Sequence, residues 1–165
     1  MRGGTIAPAM HRRGFSLIEL LVVIAIMSVL AGIGLPLAEL AHRRVQDEEL
    51  RRALREIRSA LDAYKRMVDA GLIARPAGGS GYPPNLQVLA DGEVNAQTPQ
   101  ASKLYFLRRL PRDPFAADTI TEAADTWGLR SYDSPPDDPK TGRDVYDVYS
   151  KAPGNGLDGR PYRQW

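Results

Sequence analysis

From Leu20 to Ala38 the chain runs 19 residues without a charged side chain, and this run constrains what the rest can be. A helix rising about 1.5 Å per residue would carry it across about 28 Å, close to the roughly 30 Å hydrocarbon core of a bilayer. A cleavable secretory signal and a plain membrane anchor both suit that length, and Val29-Leu30-Ala31 offers small residues for a signal peptidase. Glu19, at the start of the run, suits neither. An acid carried to the bilayer centre costs about 2.5–3.5 kcal/mol, so a carboxylate placed here points to a function.

Charge narrows the partners. The formal net charge is +2, and three of the 22 basic side chains, Arg2, Arg12 and Arg13, precede the apolar run. The other 19 face 20 acidic ones, so no basic face for nucleic acid is expected. There is no cysteine, which leaves packing, a metal or neighbouring subunits to hold a small domain together.

The stretch Arg12-Arg13-Gly14-Phe15-Ser16-Leu17-Ile18-Glu19-Leu20-Leu21-Val22-Val23 resembles the processing site of type IV prepilins and of the pseudopilins of type II secretion. The resemblance implies a leader over residues 1–14, cleavage after Gly14 by prepilin peptidase, methylation of the new N-terminal Phe15, and a requirement for Glu19. The chemistry is sensible on its own terms. Cleavage would leave an α-ammonium on Phe15, one helical turn from Glu19, and the helix dipole favours a carboxylate in that first turn. Among packed apolar helices, pairing Glu19 with a neighbour's N-terminal charge would relieve both ions and set the register of assembly. Capping of its own helix is the alternative role for Glu19. The resemblance places the leader in the cytoplasm and the C-terminal head in the periplasm of a single-pass inner-membrane protein. Arg43, Arg44, Arg51 and Arg52 beyond the run keep the positive-inside rule from fixing that orientation alone.

Leu50, Ala53, Leu54, Ile57, Ala60, Leu61, Tyr64, Met67 and Val68 recur at spacings of three and four, the stripe of an amphipathic helix. One helix is therefore expected from Phe15 to about Ala70, with residues 15–38 in lipid or filament core and 39–70 as an amphipathic continuation. Gly71 is the expected stop. Gly32, Gly34 and Pro36 are poor helix residues, and Pro36 lacks an N–H. They are read as a helix break, a segment able to melt and stretch as the subunit leaves lipid for a filament.

Residues 71–165 form the expected globular head. Gly71 to Ala101 reads as a loop over the helix, with an apolar cluster at Gly81–Leu89, and Lys103–Phe115 supplies a second cluster. Leu129–Tyr132 and Asp144–Ser150 read as strands, and Arg160–Trp165 as a third. The fold class expected is α+β, type IV pilin-like, with a long N-terminal helix packed on a small antiparallel sheet. Tyr82-Pro83, then Leu107-Arg108-Arg109-Leu110-Pro111-Arg112-Asp113-Pro114-Phe115, then Asp147-Val148-Tyr149-Ser150 fall in the order seen in the major, G-type pseudopilins, which this head resembles. It departs from them in two places. Extra sequence lies between Phe115 and Tyr132. Where that family has an aspartate-containing calcium loop, this chain has Lys151–Gly159 with one aspartate. Asn155 and Asp158 are weak calcium candidates, and a turn built on glycines is the simpler reading. No other cofactor is expected.

Gly154–Gly159 matches a dinucleotide fingerprint in spacing, but no helix pattern follows it. His11 and His42 lack a third ligand. Asp133, Asp137 and Asp138 alternate with prolines, as in a stiff exposed loop. No enzyme is expected. The reading is a structural subunit of a periplasmic pseudopilus: a homo-oligomeric helical filament with other pseudopilins, matured by prepilin peptidase and driven by an inner-membrane platform and its ATPase. A type IV pilin for adhesion, twitching or DNA uptake, and a monomeric membrane-anchored periplasmic binding domain, are the alternatives.

Overall fold

A computed structural model describes residues 15–98, 100 and 103–165, with 33–36 described by backbone alone. The leader, including Arg2, His11, Arg12, Arg13 and Gly14, lies outside the described residues. Helix α1, Leu17–Asp69, is 53 residues long and stays helical across Gly32, Gly34 and Pro36. The break expected there does not end the helix. The chain divides into two compact units, one ending at Ala41 and the other running His42–Trp165.

In the second unit α1 buries its predicted stripe. Leu50, Ala53, Leu54, Ile57, Ala60, Leu61, Tyr64 and Val68 are all core residues, and Met67 packs at the edge. Each fully buried Leu or Ile contributes about 1.5–3 kcal/mol, so this face is the main reason the head holds together. Gly71 ends the helix with φ +71°. Its amide donates to the Val68 carbonyl, and the Leu72 amide reaches back to Met67, the Schellman pattern that a residue with a Cβ would strain.

The loop after Gly71 lays Ile73, Leu86 and Leu89 onto the stripe. It also contains a short helix α2, Val88–Asp91. Strands β1 (Glu93–Val94) and β2 (Lys103–Leu104) pair antiparallel, a hairpin that the sequence reading left as loop and cluster. Phe106 and Leu107 then donate both amides to the Leu89 carbonyl. The extra stretch after Phe115 is stitched down by Arg112, whose guanidinium donates to the carbonyls of Ala117 and Ile120. Trp127 is buried, with its indole N–H 2.9 Å from the Pro111 carbonyl.

Strands β3 (Trp127–Arg130) and β4 (Asp147–Ser150) pair antiparallel, Trp127 opposite Ser150 and Arg130 opposite Asp147. Both differ from the expected bounds. β3 starts two residues earlier because Trp127 enters the core. β4 starts three residues later because the Asp144 side chain is committed to Ser80, Ser131 and the Tyr132 amide. The expected third strand at Arg160–Trp165 is not formed. Asn155 and Pro161 make one isolated bridge, and Tyr162–Gln164 coil into a 3-10 turn. Pro161 cannot donate to a ladder, and the turn buries Tyr162 against Phe115 and Trp165, with ring centroids 4.5 and 5.1 Å away.

Candidate functional site

The first unit is built for an apolar surrounding. Ser16 accepts the Leu20 amide at 3.1 Å to open α1, which places Glu19 in the first turn. Phe15 precedes the helix and is 83% exposed. Every side chain from Phe15 to Gly32 is exposed, Leu, Ile and Val included. A helical stretch that is apolar on all faces, with none of the described residues packed on it, suits lipid or a place among other such helices. Ser28 conforms, since its hydroxyl donates to the Ile24 carbonyl at 2.8 Å and needs no outside partner. Among the described residues no cation pairs with Glu19. The structure thus brings Phe15 and Glu19 to one helix start, while the bond after Gly14 lies outside the described residues.

In the second unit, the C-terminal loop meets a line of α1 side chains to which the sequence reading assigned no partner. Asp47 is 5% exposed; it accepts the Leu157 amide at 2.8 Å and the Tyr162 hydroxyl at 2.7 Å. One turn on, Arg51 binds Asp158 at 2.8 Å, and its guanidinium lies 4.2 Å from the Trp165 ring centre. Two turns further, Arg58 donates to Asp147 at 2.8 Å, to the Val148 carbonyl at 3.0 Å and to the Trp165 carbonyl at 2.6 Å. The signal that could have found Asp47 is its position: it continues the stripe of Leu50 and Leu54 toward the N-terminus, where an acid needs a buried partner.

The two calcium candidates are not gathered around a cavity. Asn155 is exposed and lies in the bridge to Pro161. Asp158 accepts the Arg160 amide at 3.0 Å through one oxygen, and Arg51 and the Arg160 guanidinium through the other. The Arg160 amide above all, helped by the Arg160 and Arg51 guanidiniums, outweighs the opposing effect of burial and holds its carboxyl below the usual carboxylate range. A calcium ion takes six to eight oxygens, and the donor set here does not fit one. Among the described residues no group of three His, Cys, Asp or Glu side chains is placed to hold a metal. His42 and the acids Asp133, Asp137 and Asp138 are all exposed.

Comparison with known proteins adds two findings. A family profile for the prokaryotic N-terminal methylation motif matches residues 9–35, which include Gly14, Phe15 and Glu19. The type II secretion system core protein G of Klebsiella michiganensis is 30% identical over 111 residues, covering 65% of this chain and 70% of its own. No solved structure matches.

Proposed function

The chain belongs to the family of type II secretion system core protein G, and on that premise we propose that it is cut between Gly14 and Phe15 and methylated on Phe15. It is a membrane-anchored pseudopilin. In the proposed arrangement it crosses the inner membrane once through α1, with the leader in the cytoplasm and the head in the periplasm. Prepilin peptidase matures it, and an inner-membrane platform with its ATPase draws it from the bilayer into a helical filament with copies of itself and other pseudopilins. Its role is structural rather than catalytic.

The observation that carries this reading is the start of α1: Glu19 in the first turn of a helix whose apolar side chains from Leu17 to Leu30 are exposed all round. Moving such a helix from lipid into a bundle of identical helices keeps its surface covered. Glu19 then has to be paired, because an ion left alone in that core costs several kcal/mol. The α-ammonium of a neighbouring Phe15 is the proposed partner. Gly32, Gly34 and Pro36 are proposed to let the helix stretch locally during the transfer, since Pro36 removes one ladder hydrogen bond. A surface pilin would share the N-terminal device, but the likeness to core protein G favours secretion.

Intact-mass and N-terminal fragment spectra of membrane-extracted protein test the maturation step. A chain beginning with N-methylated Phe15 is the expected result. A chain beginning at Gly32, the product of an ordinary signal peptidase, would overturn the reading.

A further inference from the structure

The family resemblance predicts a calcium loop after β4, and the side chains there do not fit one. We propose that the C-terminal loop is fastened to α1 by a metal-free latch, in which Asp47, Arg51 and Arg58 take the place of the ion, so that folding of the head needs no calcium. The inference rests on the family assignment only for the calcium it expected to find.

Three observations carry it. First, several of the loop's oxygens are already accepting hydrogen bonds. Arg160, Gly156 and Gly154 give their carbonyls to the amides of Gly156, Gly159 and Tyr162, and both oxygens of Asp158 are engaged. Second, the local field is wrong for a cation. Arg51 and Arg160 set two positive charges against the one carboxylate of the loop, so a divalent ion would have to displace both. Third, the loop is closed over an aromatic ring instead of around a cavity. A Cβ built on Gly156 would lie 1.9 Å from the Trp165 ring, and that ring is in turn covered by Arg51. Gly154 and Gly159, at φ +93° and +81°, make the tight turns that this closure requires.

The latch residues have the spacing of a single line along the helix. Asp47, Arg51, Leu54 and Arg58 succeed one another at intervals of four, three and four, so one helix edge presents an acid, a base, a core leucine and a second base in register. Asp47 satisfies the loop amide of Leu157 and the buried Tyr162 hydroxyl together. Charge-assisted bonds of this kind are the strong ones.

Hydrogen–deuterium exchange of full-length protein in detergent, read on peptides covering Gly154–Trp165, tests this without reference to processing or assembly. Wild-type protection is expected to be the same in calcium and in EGTA. Asp47→Ala is expected to speed exchange of that segment on the order of tenfold to a hundredfold, with added calcium giving no rescue. Arg51→Lys keeps the charge but loses the planar stacking on Trp165, and is expected to speed exchange of the same segment while Trp127–Arg130 stays protected. Should Asp47→Ala fail to fold, the wild-type comparison and Arg51→Lys still decide. Loss of wild-type protection in EGTA, restoration of either variant by calcium, or unchanged exchange in Arg51→Lys would overturn the latch. A filament that failed to assemble would leave these results unaltered.

Discussion

The Tyr162 hydroxyl donates a 2.7 Å hydrogen bond to the buried carboxylate of Asp47, joining residues 115 positions apart in the chain. One is on α1 and the other in the last turn, so the bond closes the head from its first helix to its C-terminal segment. Tyr162→Phe removes the hydroxyl and leaves the ring packing on Phe115 and Trp165. A hydrogen bond to a charged acceptor contributes about 1.5–3 kcal/mol, and a head of this size should lose about 5–10 °C in thermal midpoint. Thermal unfolding followed by circular dichroism measures it, and an unchanged midpoint would show the bond to be unimportant.

Asp144 contributes acid sensitivity to the head. Burial alone would raise its carboxyl, but the Ser80 hydroxyl, the Tyr132 amide and the Ser131 hydroxyl outweigh burial and hold it below the ordinary range. The carboxylate therefore stabilises the fold above the unfolded value of about 3.9, and that contribution is lost as pH falls through the lower folded value. Asp144→Asn is expected to be less stable than wild type at pH 7, with the difference shrinking as the pH is lowered below about 4. Denaturant midpoints across that range check the sign, and a gap that widens toward acid would contradict it.

What the sequence made legible was whatever repeats locally. The α1 stripe could be read from spacing, since each apolar residue is three or four from the next, and its end could be read from Gly71. β4 showed through its alternation. The short β1–β2 hairpin did not, because two-residue strands carry too few positions to show a period. Tyr162 was placed in a strand because nothing near it in sequence reports that its ring fits beside Phe115. The partners of Asp47, Arg51 and Arg58 are similarly remote: Asp158 is 107 residues from Arg51. Viewed along the helix alone, such charges look like a solvated face.

Gly128 illustrates a constraint of this remote kind. It stands opposite Tyr149 in the β3–β4 pair, and a Cβ built on it would lie 2.2 Å from the Tyr149 ring. The ring covers the bare glycine backbone, and any larger residue must push it aside. Gly128→Val is expected to cost about 1–3 kcal/mol, whatever the strand preference of valine. Tyr149→Ala in the same background should recover part of the loss, because the clash is then gone. Urea unfolding of the two variants measures this, and equal stability of wild type and Gly128→Val would refute the close approach.

Glu19→Ala separates insertion from assembly. The apolar run from Leu20 to Ala38 is untouched by the change, and removing a carboxylate from the edge of a membrane helix does not weaken insertion. The variant should therefore reach the membrane in normal amount. In a filament core, however, the α-ammonium of a neighbouring Phe15 would lose its counter-ion, and breaking one side of a buried pair costs about 3–5 kcal/mol. Applied at each added subunit, that penalty shortens the polymer steeply, since every 1.4 kcal/mol is tenfold in an association constant. Crosslinking in membranes should give monomers and short species where wild type gives long ladders. Glu19→Asp, which keeps the charge on a shorter arm, should give intermediate lengths. Ladders of wild-type length from Glu19→Ala would remove this carboxylate from the assembly mechanism and leave α1 as a membrane anchor alone.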